Sequence, residues 1–227
     1  MEKVAFIGGY DKTDLILAIA RILSIMQHKV LFIDTSVSQK TRYIVPAMRP
    51  GPQYITTFQD IDVAIGFRNY NEIMQYMGTD TLNYDFVLFD IDNAFFYQSF
   101  GLTPNDKHYF VSSFDLYSLR KGLGVLATLQ NPINMTKVLF VQNILKEDDD
   151  YLNYISQGLK INWAPEPIYF PFDTNDLNGL FRIQRSQKIH TNGLSTSYVD
   201  SLRFLVEMVS GKKQGDVRRA VKLMNGQ

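Results

Sequence analysis

Short apolar runs alternate along the chain with longer stretches in which apolar residues recur every three or four positions. That alternation is the signature of a parallel sheet covered by helices on both faces. Lys3–Ile7 reads as the first strand, with Gly8-Gly9 as its turn. Thr13–Gln27 follows as a helix, carrying Leu15, Ile19, Ile22, Leu23 and Met26 at helical spacing. Val30–Asp34 is a second buried strand that ends on a carboxylate. Val45–Gln53 contains Pro46, Pro50, Gly51 and Pro52 and is expected to be irregular. Asp62–Phe67 is expected as a strand and Tyr70–Met77 as a short helix. Asp85–Ile91 is a clear strand with a second acid, Asp90, near its end, and His108–Ser112, Lys137–Asn143 and Pro167–Phe170 complete the strands. Further helices are expected near Leu116–Leu129, Asp149–Leu159, Asn175–Gln184 and Ser195–Ser210, before a basic tail. No repeat, low-complexity tract or long linker divides the chain. The expected architecture is α/β, a mostly parallel twisted sheet with helices on both faces, in one domain over 1–211 with a tail over 212–227.

Composition narrows the function classes. Of 227 residues, 45% are apolar and 20% charged, which suits a globular fold. The 23 basic and 23 acidic residues cancel, which argues against a surface that grips nucleic acid as a whole. With no cysteine, disulfides, thiolate metal sites and a cysteine nucleophile are excluded. His28, His108 and His190 lack metal-ligand spacing. No apolar run approaches a membrane span, and the first strand begins without a signal region, so the expected location is cytoplasmic.

In open α/β sheets ligands gather beyond the C-terminal ends of the strands. Three features fall there: the loop Gly8-Gly9-Tyr10-Asp11-Lys12-Thr13, the acid Asp34 and the acid Asp90. A phosphate loop needs glycines for close backbone approach, a lysine for phosphate charge and a hydroxyl for Mg²⁺. On spacing alone, an equally good reading is a strand–Gly-Gly–helix turn with a solvated lysine and acids that cap loops, Asp11 serving as the helix cap.

Taken in order, these segments resemble the ParA/MinD ATPases over roughly Lys3–Arg182. Gly8–Thr13 is similar to that family's deviant Walker A loop, Gly-Lys-Gly-Gly-x-Gly-Lys-Thr. Leu31–Asp34 resembles its second strand, and Tyr84–Asp90 its strand before switch II. Phe140–Asn143 is similar to the strand ending in the base-recognising Asn, and Ile168–Asp173 to the late Pro-x-Asp turn. The resemblance implies a P-loop fold, ATP or ADP with Mg²⁺ as cofactor, and a nucleotide site at Gly8, Gly9, Tyr10, Asp11, Lys12, Thr13, Asp34, Asp90 and Asn143. Thr13 and Asp90 would hold the metal.

Five departures weaken that implication. The first loop glycine corresponds to Phe6, the signature lysine to Ile7, and the glycine before the P-loop lysine to Asp11. The catalytic Asp corresponds to Ser36 and the switch II glycine to Ala94. A carboxylate at position 11 would face triphosphate charge, and a serine cannot act as a base at neutral pH. Negligible ATP hydrolysis is therefore expected, with no catalytic residue assigned.

The resemblance implies a role in positioning or assembly, and the leading expectation is a pseudo-ATPase scaffold or spatial adaptor that works by protein contact. The alternative is a Mg-ATP switch with slow hydrolysis and nucleotide-dependent dimerisation, Asp92 replacing the missing acid. Aromatics at Phe95, Phe96, Tyr97 and Phe100 point to a homodimer or to core packing. The tail carries Val217, Val221 and Met224 at helical spacing beside basic residues. It reads either as a peripheral membrane contact, as in MinD-type proteins, or as a helix packed on its own domain. A nucleic-acid-binding role is weakened by the neutral charge, and a Rossmann dehydrogenase by the missing Gly-x-Gly-x-x-Gly.

Overall fold

One sheet organises the computed structural model, which describes residues 1–47, 51–171 and 173–226. Pro50 of the expected irregular loop, Phe172 of the Pro-x-Asp segment and Gln227 of the tail lie outside the described residues. The strands are β1 (Glu2–Ile7), β2 (Val30–Asp34), β3 (Tyr54–Phe58), β4 (Ile61–Ile65), β5 (Phe86–Ile91), β6 (Lys107–Ser112), β7 (Ile133–Val141), β8 (Ile161–Trp163) and β9 (Ile168–Pro171). Their order is β3-β4-β2-β5-β1-β6-β7-β8, with β9 also paired to β7. Pairing is parallel except between β3 and β4. β2 and β5 are buried at every position, as expected of central parallel strands covered on both sides.

The helices are α1 (Thr13–Ile25), α2 (Thr41–Ile44), α3 (Tyr70–Met77), α4 (Ala94–Ser99), α5 (Leu116–Leu126), α6 (Lys146–Ile155), α7 (Thr174–Ser186), α8 (Thr196–Ser210) and α9 (Gln214–Gly226). Two hydrophobic layers result. Phe6, Phe32 and Leu88 meet α1, α8 and α9 on one face. Ile7, Ile33 and Phe89 meet α3, α4, α5 and α6 on the other. The expected α/β architecture is the one found.

Where element bounds differ from expectation, local chemistry explains the difference. β3 forms directly after the segment expected to be irregular, where no strand was expected, and is joined to β4 by Gln59-Asp60, both in the left-handed region (φ 48° and 59°). Such a two-residue hairpin normally advertises itself with Asn-Gly, and here Arg21 supports it instead, donating to the Gln59 carbonyl (2.8 Å) and the Asp60 carboxylate (2.9 Å). α6 begins three residues earlier than expected, at Lys146, because Glu147, Asp148 and Asp149 suit the positive end of a helix. The aromatic run after β5 is a helix, α4, whose cap Asn93 accepts from the Phe95 amide (2.9 Å). Tyr97 and Phe100 of that region are core residues, while Phe95 is exposed.

β7 stops at Val141, so Asn143 stands two residues beyond the strand and is exposed, not at a strand end as the resemblance implied. Of the two readings of the tail, the helix packed on its own domain is the one found. α9 packs on α1 and α8, and Val217, Ala220, Val221 and Met224 are all buried. A membrane-lying helix needs its apolar face free, and this one is spent inside the domain. A chain ending at Gly211 is expected to lose at least about 4 kcal/mol, given ~1.5–3 kcal/mol per buried large aliphatic side chain. Urea unfolding followed by circular dichroism measures it; an unchanged midpoint would mean that α9 contributes nothing.

Candidate functional site

β1 determines what the glycine loop can be. The strand continues through Ile7, which pairs with Ile91 on β5 and Phe110 on β6. Phe6 is fully buried and stacks on Tyr109, ring centroids 5.3 Å apart. The two positions that the resemblance matches to the first loop glycine and the signature lysine are therefore core strand residues. Only Gly8–Lys12 link β1 to α1. Gly8 is required by packing, since a Cβ there would lie 1.9 Å from the Val111 carbonyl oxygen. At Gly9 a Cβ would meet the Lys121 Cβ at 2.8 Å. Both glycines thus have a reason to exist without any ligand: they let α5 and β6 close on the end of β1.

Lys12 turns inward. Its ammonium is 2.6 Å from Asp90 Oδ1 and donates to the Gly8 carbonyl at 3.0 Å, and the side chain is 2% exposed. Asp90 lies beside Asp34 in the β2–β5 register. Asp34 is fully buried and accepts from the Ser36 hydroxyl (2.6 Å), the Ser36 amide (2.9 Å) and the Thr41 amide (3.3 Å). The Asp90 carboxyl is pushed up to about 7, by burial first and also by Asp34, while Lys12 draws it down. Ser36, at the position of the family's catalytic acid, is committed to holding Asp34. Thr13 is buried, and its amide donates to Asp11 Oδ1 at 3.2 Å; the cap position itself is Lys12, so Asp11 closes a short turn one residue ahead of the cap instead of being the helix cap that the plain reading expected.

These residues edge an open cleft of about 470 Å³ at the C-terminal ends of the strands. Gly8, Gly9, Tyr10, Asp11, Lys12, Thr13 and Asp90 line it; Asp34 lies beneath it and Asn143 is not part of it. Sequence reasoning missed Lys40 and Lys121. Lys40 bonds the Asp11 carboxylate and lies 3.8 Å from Asp14. Its pKa is raised: burial opposes the charge, but the bond and attraction to Asp11 and the pull of Asp14 outweigh it. Lys121 pairs with Asp92 at 2.7 Å, and Asp92 also accepts from the Val37 amide at 3.0 Å. Asp92, the acid suggested as a substitute in a slow hydrolase, thus holds Lys121 and the segment after β2 in place. Tyr10 does not reach into the cleft as a free ring; it stacks on Phe140 (4.8 Å), which stacks on Phe170 (5.0 Å).

A Mg-triphosphate does not fit this arrangement. The loop lysine is already neutralised inside the protein, the cleft mouth carries a carboxylate at Asp11, and two of the loop positions are strand. Burying an ion pair and then removing one member costs about 3–5 kcal/mol. Lys12→Met and Asp90→Asn are each expected to lose about that much. The double variant Lys12→Met/Asp90→Asn is expected to lose less than the sum, by about 1–3 kcal/mol. A denaturant double-mutant cycle checks this, and additive losses would separate the two side chains.

No protein-family model matches the chain, and no curated protein matches it. Solved structures do. An ATP complex of Cyanothece McdA superposes with a TM-score of 0.57 at 10% identity, covering 94% of this chain and 97% of that one. MinD of Aquifex aeolicus gives 0.55 at 16%, covering 94% and 98%. A ParA family ATPase from Chlorobium tepidum TLS gives 0.51 at 13%, covering 99% and 97%. Such low identity with near-complete coverage speaks to architecture, and the architecture is that of the ParA/MinD-like P-loop ATPases.

Proposed function

We propose that this protein is a pseudo-ATPase scaffold or spatial adaptor: a ParA/MinD-like domain that serves a positioning or assembly system by protein contact, without nucleotide turnover. The observation that carries the reading is the buried Lys12–Asp90 pair. Phosphoryl transfer depends on charge placed around the transferred group. Here the loop lysine is withdrawn, the signature-lysine position is the strand residue Ile7, and the position of the catalytic acid is a serine bonded to Asp34.

Protein contact is supported by the cleft mouth. Val37, Tyr43, Phe95 and Tyr117 are all exposed on loops and helix starts that follow β2, β5 and β6. Large apolar side chains grouped at one end of a sheet suit an interface with a second copy or with a partner of the assembly. Association through such a surface would not require nucleotide between the subunits.

Calorimetric titration of the wild-type chain with Mg-ATP is the direct test. The expected result is no saturable heat up to about 1 mM, weaker than roughly −4 kcal/mol of binding free energy. Phosphate release should equal that of a blank. Micromolar binding that is lost in Lys12→Met would sink the scaffold reading and restore the Mg-ATP switch.

A further inference from the structure

We infer that Asp11 is a built-in anion: its carboxylate, latched by Lys40, occupies the start of α1 in place of a phosphate group and keeps external anions out of the cleft. This rests on reading the cleft as closed to nucleotide, and adds what closes it.

The start of a helix attracts anions because its first amides lack intrahelical acceptors and the helix dipole is positive there. In this chain the first-turn amide of Thr13 is met by Asp11 Oδ1 at 3.2 Å. The other carboxylate oxygen, Oδ2, takes the Lys40 ammonium. One carboxylate therefore satisfies both a helix-start amide and a lysine, the two kinds of donor that an incoming phosphate oxygen would seek. Lys40 reaches across from the segment after β2, directly before α2, and lies 3.8 Å from Asp14 as well. The latch thus ties the 36–44 segment to the first turn of α1. Among the described residues the amides of Gly9, Tyr10, Asp11 and Lys12 donate to no protein acceptor, so loop donors remain beside the latch. The acids facing Lys40 are Asp11 and Asp14, and the remaining charged residues lining the cleft, Lys12, Asp90, Lys121 and Asp92, are paired with one another. An external anion would meet a fixed negative charge at the start of α1, where the cleft exposes it.

The inference predicts a gain of binding on removing a side chain, which a turn of purely structural value would not produce. Inorganic pyrophosphate without metal is the probe, read by calorimetry and by thermal shift at constant ionic strength. Wild type is expected to show no saturable response up to about 10 mM, a concentration at which a Kd of about 1 mM would appear nearly saturated. Asp11→Gly removes the charge and is expected to bind pyrophosphate at least about tenfold more tightly than wild type. Adding Lys40→Ala to it should take most of that gain away, because the freed lysine is what turns to the new anion. Asp11→Asn keeps the accepting oxygen without the charge, so it preserves the fold if the glycine variant is too unstable, and it too should gain binding. Saturable pyrophosphate binding by wild type, or no gain in either Asp11 variant, overturns the inference. Neither result bears on Mg-ATP turnover, which the wild-type ATP titration decides independently.

Discussion

A lysine that is buried needs a partner, and that need shapes the centre of this molecule. Removing an ammonium from water costs several kcal/mol unless an opposite charge and hydrogen-bond acceptors replace the water. Lys12 finds both, the Asp90 carboxylate at 2.6 Å and the Gly8 carbonyl at 3.0 Å. To place Gly8 under Lys12, β1 must end against Val111 with no side chain intervening. To present Asp90, β5 must run in register between β1 and β2, which sets Asp34 beside it and recruits Ser36 and Thr41 to satisfy that second acid. The loop, the central strands and the segment after β2 are thus parts of one charge-balancing problem.

Most of the architecture was legible because central parallel strands leave a strong trace. Val30–Asp34 and Asp85–Ile91 are apolar runs ending at acids, and both stand where expected within a residue. What was illegible lacked such a trace. β3 depends on a Gln-Asp turn held by a distant arginine, and no local spacing announces Arg21 as its support. β8 is three residues long and borrows its stability from β7. The basic tail left two readings open because periodicity says that a face is apolar without saying what covers it; α1 and α8 supply the answer.

The site divides along the same line. Gly8–Thr13 and Asp90 were legible as a group, since a contiguous loop and a strand-end acid must meet at the same edge of the sheet. Lys40 and Lys121 reach the cleft from other segments, and only the fold brings them to Asp11 and Asp92. Asn143 was placed by family likeness, and the early end of β7 leaves it in water. The inward turn of Lys12 was beyond sequence reasoning altogether, because a lysine after glycines looks the same whether it faces a ligand or its own core.

The closure of α1 by α9 also concerns how the chain comes to be made. α1 is finished by residue 25, yet part of its cover belongs to residues 214–226. At about 5–20 residues per second of synthesis, roughly ten to forty seconds separate the two. During that interval an apolar flank of the first helix has no native neighbour, and the ribosome-bound chain is a natural client for a holding chaperone.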